Sequence, residues 1–294
     1  MARQGATRTG EHDVVPNRAA AWLWLSIVAG ILAVAGSVIA LTADSIYSGL
    51  TSTFLPEALA QDVANLALAS PALLILAALA LRGSLRAYLL WLGVLTFTVY
   101  NYVIYAFSIP FGPLFLLWVA VLGLCIYALI GGVTAVDHVT IAERFASRRA
   151  VTVVAWFLIV TAALFGVLWL SQDVPALLAG TRPQGLVDMG SPTNPVHVLD
   201  LGFFLPAVIA TGVLLLRRIP FAHTLAPMMI VFLMLTGVPI LLTPAVQTAR
   251  GETAAGGVVM PIGTLTVISL GMLVWLLSTM RSPESPGAVP EVSE

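Results

Sequence analysis

The chain reads as apolar runs broken by short polar stretches. A helix needs about 20 apolar residues to cross a hydrocarbon core about 30 Å thick. Eight windows of that kind lie at 20–42, 62–81, 88–108, 114–136, 151–171, 200–216, 224–246 and 261–280. In lipid the backbone must satisfy its own hydrogen bonds, so these runs predict helices. The expected fold class is all-α, a polytopic membrane helix bundle of about eight spans.

Composition agrees with the pattern. Hydrophobic residues make up 59% of the 294 and charged residues only 9%, with a mean hydropathy of +1.00. An ordinary soluble domain has about 25% charged residues, so that class is excluded. A formal net charge of −1 offers nothing to nucleic acid. All 13 basic residues are arginine. With the N-terminus in the cytoplasm, Arg3, Arg8, Arg18, Arg82, Arg86, Arg144, Arg148, Arg149, Arg217, Arg218 and Arg281 fall on the inner side, leaving Arg182 and Arg250 outside. The positive-inside rule therefore predicts that both termini are cytoplasmic.

The first run is too long for a secretory signal and no A-x-A site follows it, which predicts a retained anchor. The predicted organisation is an N-terminal tail 1–19, a transmembrane bundle 20–281 and a tail 282–294. Both tails have the polar composition of disordered segments. Mass outside the spans gathers in three outer segments, 43–61, 172–199 and 247–260. Cys125 is the only cysteine, so neither an intrachain disulfide nor a CxxC pair exists.

Two parts of the chain also align. "SPALLILAALALR" ending at Arg82 superposes on "LPAVIATGVLLLR" ending at Arg217, matching Pro71 with Pro206 without a gap. "AWLWLSIVA" from Ala21 matches "AWFLIVTAA" from Ala155 at nearly the same offset. The expectation is a four-span unit duplicated as 20–137 and 150–281. Four is even, so the halves enter the membrane the same way, as parallel repeats.

Polar residues inside the spans carry the candidate chemistry. The third window contains "VLTFTVYNYVIYAFS", in which Thr98, Asn101, Tyr105 and Ser108 share one helical face. The second begins "QDVAN", placing Asp62 and Asn65 one turn apart; the sixth begins "TNPVHVLD", with Asn194 suited to cap, Pro195 to the first helical position, and His197 and Asp200 following. Under the duplication Asp62 and Asn65 fall on His197 and Asp200. The expectation is one ligand-binding cavity near the outer surface, built from Asp62, Asn65, Asn101, Tyr102, Tyr105, His197 and Asp200. Simpler readings compete: a carboxylate in a first turn gains from the helix dipole, tyrosines populate interfacial belts, and an asparagine can join helices. Asp137, His138, Glu143 and His223 read as loop or interfacial groups.

Absences narrow the chemistry. Without lysine there is no retinal Schiff base, and H-E-x-x-H, Walker A and G-x-S-x-G patterns do not occur. The segments 57–123 and 194–218, with landmarks Gln61, Asp62, the Arg82–Gly83–Ser84 and Tyr100–Asn101–Tyr102 triplets and Asp200, resemble a family of uncharacterised bacterial polytopic integral membrane proteins. The resemblance implies an inner-membrane setting and no functional residues. The leading expectation is binding or transport of a small polar or amphipathic molecule, with the lipid bilayer as partner and no cofactor specified. One alternative is a metal-dependent enzyme at the outer leaflet using Asp62, His197 and Asp200; another is a membrane scaffold without a site.

Overall fold

The computed structural model describes residues 17–254 and 256–281. Among the described residues the regular structure is helical, apart from one isolated antiparallel bridge between Phe145 and Met280. Eight helices are long and apolar enough to cross a membrane: α1 (Ala20–Thr42), α2 (Phe54–Leu81), α3 (Leu85–Ser108), α4 (Phe115–Ala135), α5 (Arg148–Leu178), α6 (Pro195–Leu216), α7 (Pro220–Ala249) and α8 (Gly256–Ser278). Short helices at His138–Arg144 and Gln184–Met189 join α4 to α5 and α5 to α6. The tails expected to be disordered lie outside the described residues, except that Asn17–Ala19 forms a 3-10 turn.

Helix boundaries follow capping chemistry rather than the edges of the apolar runs. α2 begins at Phe54, eight residues before the window that starts at Asp62. Pro56 sits in its first turn, where backbone N–H groups lack intrahelical acceptors anyway, so the proline does no harm. α5 runs past the predicted end at Ser171 to Leu178 and stops at Gly180. There φ is +64°, and Thr181 N–H returns to the Ala176 carbonyl in a Schellman-type closure. α6 starts where the sequence places it, with the Asn194 side chain accepting from Val196 and His197 N–H and Pro195 at the first position.

α2 and α6 share an interruption. Each contains a π-helical turn, Asn65–Ala69 and Asp200–Phe204, immediately before the segments carrying Pro71 and Pro206. In each, an N–H reaches back five residues, from Ser70 to the Asn65 carbonyl and from Leu205 to that of Asp200. A proline supplies no N–H and its ring clashes with the carbonyl four residues earlier, and a widened turn relieves that clash. The connections that follow also correspond: Gly83 (φ +88°) and Arg218 (φ +60°) both take left-handed backbone, flanked by the same five-residue return from Ser84 to Leu79 and from Ile219 to Leu214.

α3 and α7 pack against each other at the centre of the bundle. In their most apolar windows 78% and 61% of residues are buried, against 11% for α8 at the periphery. Contact between α3 and α7 is close at Gly93, where an added Cβ would lie 2.5 Å from the Val231 Cβ and 3.0 Å from the Met228 carbonyl oxygen. The N-terminal half of α3 is tied by Tyr88, whose hydroxyl donates to the Gly132 carbonyl at 2.7 Å, and by Trp91, whose Nε1 donates to Ser26 Oγ at 2.8 Å.

Candidate functional site

Two polar sets flank α3. The first surrounds Asp62, which is 2% exposed and lies eight residues into α2, well past the first turn. Its carboxylate accepts from Ser37 Oγ of α1 at 2.9 Å, from the Tyr105 hydroxyl of α3 at 3.0 Å, and from the Tyr47 hydroxyl in the connection between α1 and α2. Burial, and then the neighbouring Asp62 charge, push the Tyr47 phenol above its ordinary range. One turn along, Asn65 Oδ1 accepts from Asn101 Nδ2 and Gln61 Nε2, each at 3.1 Å, while Asn65 Nδ2 is buried without a partner. Trp118 stacks on Tyr105 with centroids 5.3 Å apart and planes 19° apart, and Tyr102 packs at the same separation on another side.

The second set surrounds Asp200, which is 8% exposed. Trp169 Nε1 of α5 donates to its Oδ2 at 2.8 Å, and the Tyr100 phenol of α3 faces the same carboxylate. Tyr100 is fixed by edge contacts with Phe204 and Phe232. Trp169 also stacks on the His197 ring at 4.4 Å. His197 Nδ1 lies 3.0 Å from both carboxylate oxygens of Asp173, near the C-terminal end of α5. An open cleft of about 360 Å³ between α5, α6 and their connection is lined by Asp173, Leu177, Leu186, Asn194, His197 and Leu201. Asp173 remains 26% exposed there, against 7% for His197.

The single cavity expected from the sequence is thus divided. Asp62, Asn65, Asn101 and Tyr105 come together with Tyr102 alongside, whereas His197 and Asp200 belong to the other set. The division follows from adjacent residues of α3, since Tyr100 and Asn101 project about 100° apart on a helix. The proposed metal trio of Asp62, His197 and Asp200 is not assembled: among the described residues no three or more His, Cys, Asp or Glu side chains gather as a metal site. Neither dipole nor belt explains these groups. Asp62 and Asp200 stand beyond the first turns of α2 and α6, and Tyr100, Tyr102 and Tyr105 are at most 4% exposed.

Ser37, Tyr47, Asp173 and the roles of Trp169 and Tyr100 were not legible in the sequence. Ser37 is a single hydroxyl in an apolar run, Tyr47 lies in a connection, and Asp173 precedes His197 by 24 residues without a motif. Thr98, placed on the candidate face, donates instead to the Val94 carbonyl of its own helix. In the connection from α4 to α5, Asp137 caps the short helix 138–144, and the Thr140 hydroxyl followed by the Val139 N–H holds its carboxyl below the usual range. His138 meets Thr224 Oγ1 at 2.9 Å, and desolvation holds its pKa below the ordinary value. Compared with known proteins, this chain matches no protein-family model, no curated protein and no solved structure.

Proposed function

We propose that this is a multi-pass inner-membrane protein that binds a small amphipathic molecule at the outer cleft between α5 and α6 and serves as its carrier. One observation carries the reading: the Asp173–His197 pair supplies the titratable groups of a cleft whose wall is otherwise largely apolar, with Gln172, Thr181, Thr193 and Asn194 as its other polar side chains. Apolar walls with a few converging polar groups are the usual form of a small-molecule site. No arginine lines the cleft, so its chemistry favours a ligand with a cationic or hydrogen-bond-donating head and an apolar body. Asp200, Trp169 and Tyr100 stand behind the pair and connect it to the central helix α3. The Asp62 set, on the other flank of α3, completes the group of candidate residues.

The matched π turns, prolines and left-handed connections in α2–α3 and α6–α7 support a duplicated four-span unit, as carriers often have. The second reading, an enzyme at the outer leaflet, draws on the same pair. A carboxylate on Nδ1 orients a histidine so that Nε2 can act as a base.

Ligand-dependent thermal shift of the full chain in detergent, against a panel of amphipathic amines, alcohols and carboxylates, tests the proposal. A shift for cationic or donor-bearing compounds is expected, weakened about tenfold or more in apparent affinity by Asp173→Asn or His197→Gln in protein that folds normally. Equal shifts in wild type and both variants would remove the cleft as the site. Turnover of a bound compound, abolished by His197→Gln, would favour the enzyme. No shift across the panel would leave the scaffold reading.

A further inference from the structure

The Asp62 set differs from the cleft in one respect that bears on energy coupling. It is a buried acid surrounded by neutral donors, with no cation to balance it. Three hydroxyls from three elements donate to the carboxylate: Ser37 and Tyr105 to Oδ1, Tyr47 to Oδ2. The other titratable groups around it do not supply a positive charge. α1 has none within its span; α3 brings the phenols of Tyr102 and Tyr105, and α4 brings Cys125 beside Tyr102. α7, which packs along α2, has His223 near its inner end and Arg250, paired with Glu252, just beyond its outer end. In α2 itself the nearest other acid is Glu57, and in the connection Asp44 is exposed.

An ionised carboxylate offers about four lone-pair positions. Three are taken here, two on Oδ1 and one on Oδ2, which leaves one position on Oδ2. A sodium ion would need several oxygen lone pairs converging on it, whereas these hydroxyls turn their hydrogens toward the carboxylate. A proton needs only the position that remains. One turn away, the unpartnered Asn65 Nδ2 marks a second unmet hydrogen-bonding valence in the same dry environment. Reversing the Gln61, Asn65 and Asn101 carboxamides together would keep both bonds and leave a carbonyl oxygen unmet instead, so the polar opening does not depend on amide assignment.

We propose that Asp62 is a proton-binding site covered on its outer side by Tyr47, and that proton binding loosens this cover. The proton comes from outer-side water and adds to Oδ2. Tyr47 keeps its own proton and loses a charge-assisted bond, because a neutral acid is a much weaker acceptor than its anion. The connection 43–53 is then released, opening a route to Asp62 and to the Asn65–Asn101 pair. For a carrier this supplies a coupling site, since an ion bound within the membrane alters what closes over it. Ionisable groups at this depth, where charge is expensive, are commonly proton relays. The inference rests on the Asp62 cage and is independent of the cleft ligand.

The test uses the full chain in lipid nanodiscs, in sodium or choline chloride, from about pH 4 to about pH 9. Infrared difference spectra report the protonated carboxyl, and hydrogen–deuterium exchange, corrected for intrinsic rate, reports the 43–53 backbone. A carboxyl band should titrate in wild type and vanish in Asp62→Asn. Protection of 43–53 should fall as pH falls in wild type and be low at every pH in Asp62→Asn, whose neutral amide imitates the protonated acid. Tyr47→Phe should keep the band but move its midpoint up by about one pH unit, because removing a donor to the anion favours the neutral form. The proposal is overturned if Asp62→Asn retains the titrating band, if protection of 43–53 does not depend on Asp62, or if sodium replaces the proton and shifts the titration relative to choline. Tyr105→Phe provides a second donor variant should Tyr47→Phe fold poorly, with the same upward movement expected.

Discussion

At the scale of the residue, the buried carboxylates Asp62 and Asp200 accept hydrogen bonds from neutral donors. Asp62 is held by hydroxyls and Asp200 by an indole, with a phenol beside it. Buried charges without cations are costly, so each donor matters more than a surface hydrogen bond would. Asn101 illustrates the point: it donates to Asn65, whose own amide nitrogen already lacks a partner. Asn101→Leu should therefore lower stability by about 1–3 kcal/mol, a value typical of leaving a buried polar group less satisfied. Denaturant or thermal unfolding in detergent would measure it; an unchanged or raised stability would mean that the carboxamides contribute nothing to the fold. The sequence shows Asp62, Asn65 and Asn101 as polar residues in apolar runs. It does not show that Ser37 and Tyr47 complete the first set, because each is an ordinary residue until helix packing brings it to the carboxylate.

At the scale of the element, helix ends and interruptions place the sites. The π turn in α2 adds a residue between Asp62 and the C-terminal part of the span, and thereby rotates Asp62 and Asn65 relative to that part. The equivalent turn in α6 begins at Asp200 itself. Prolines at 71 and 206 were legible; the widened turns before them were not, since hydrophobic pattern alone does not distinguish a π turn from a regular one. The same holds for close packing at glycine. Gly93 reads as one small residue among many, yet in the bundle it lets α3 approach a carbonyl of α7. Gly93→Ala should destabilise the protein by about 1–3 kcal/mol through overpacking, detectable as a lower melting temperature in detergent. Gly123→Ala, where an added Cβ meets nothing within 4 Å, is the control expected to leave stability nearly unchanged.

At the scale of the whole molecule, α3 and α7 form the centre and the other spans are arranged around them. α3 lies between the two polar sets, sending Tyr100 to one and Asn101 and Tyr105 to the other. A shift of α3 would therefore act on both sets, which gives the proposed coupling a physical path through one rigid element. The arginine distribution predicts that the outer connections, and with them Tyr47 and the cleft, face away from the cytoplasm. Cysteine introduced at Ser48 or Thr193 in a Cys125→Ala background should react with a membrane-impermeant maleimide from outside intact cells, whereas cysteine at Ser147 should react only after permeabilisation. The reverse pattern would invert the topology and place both sites on the cytoplasmic side.

Crossing a membrane depends on the length and oiliness of each run, which are local properties, and the sequence by itself determined the eight spans on that basis. It also determined the cap and first residue of α6, because Asn194 and Pro195 act on their immediate neighbours. The assignment of polar groups to two sets was decided only by the tertiary structure. A side chain's partner across a bundle depends on helix rotation and on which spans become neighbours, and apolar periodicity specifies neither when every face of a helix is nearly equally oily.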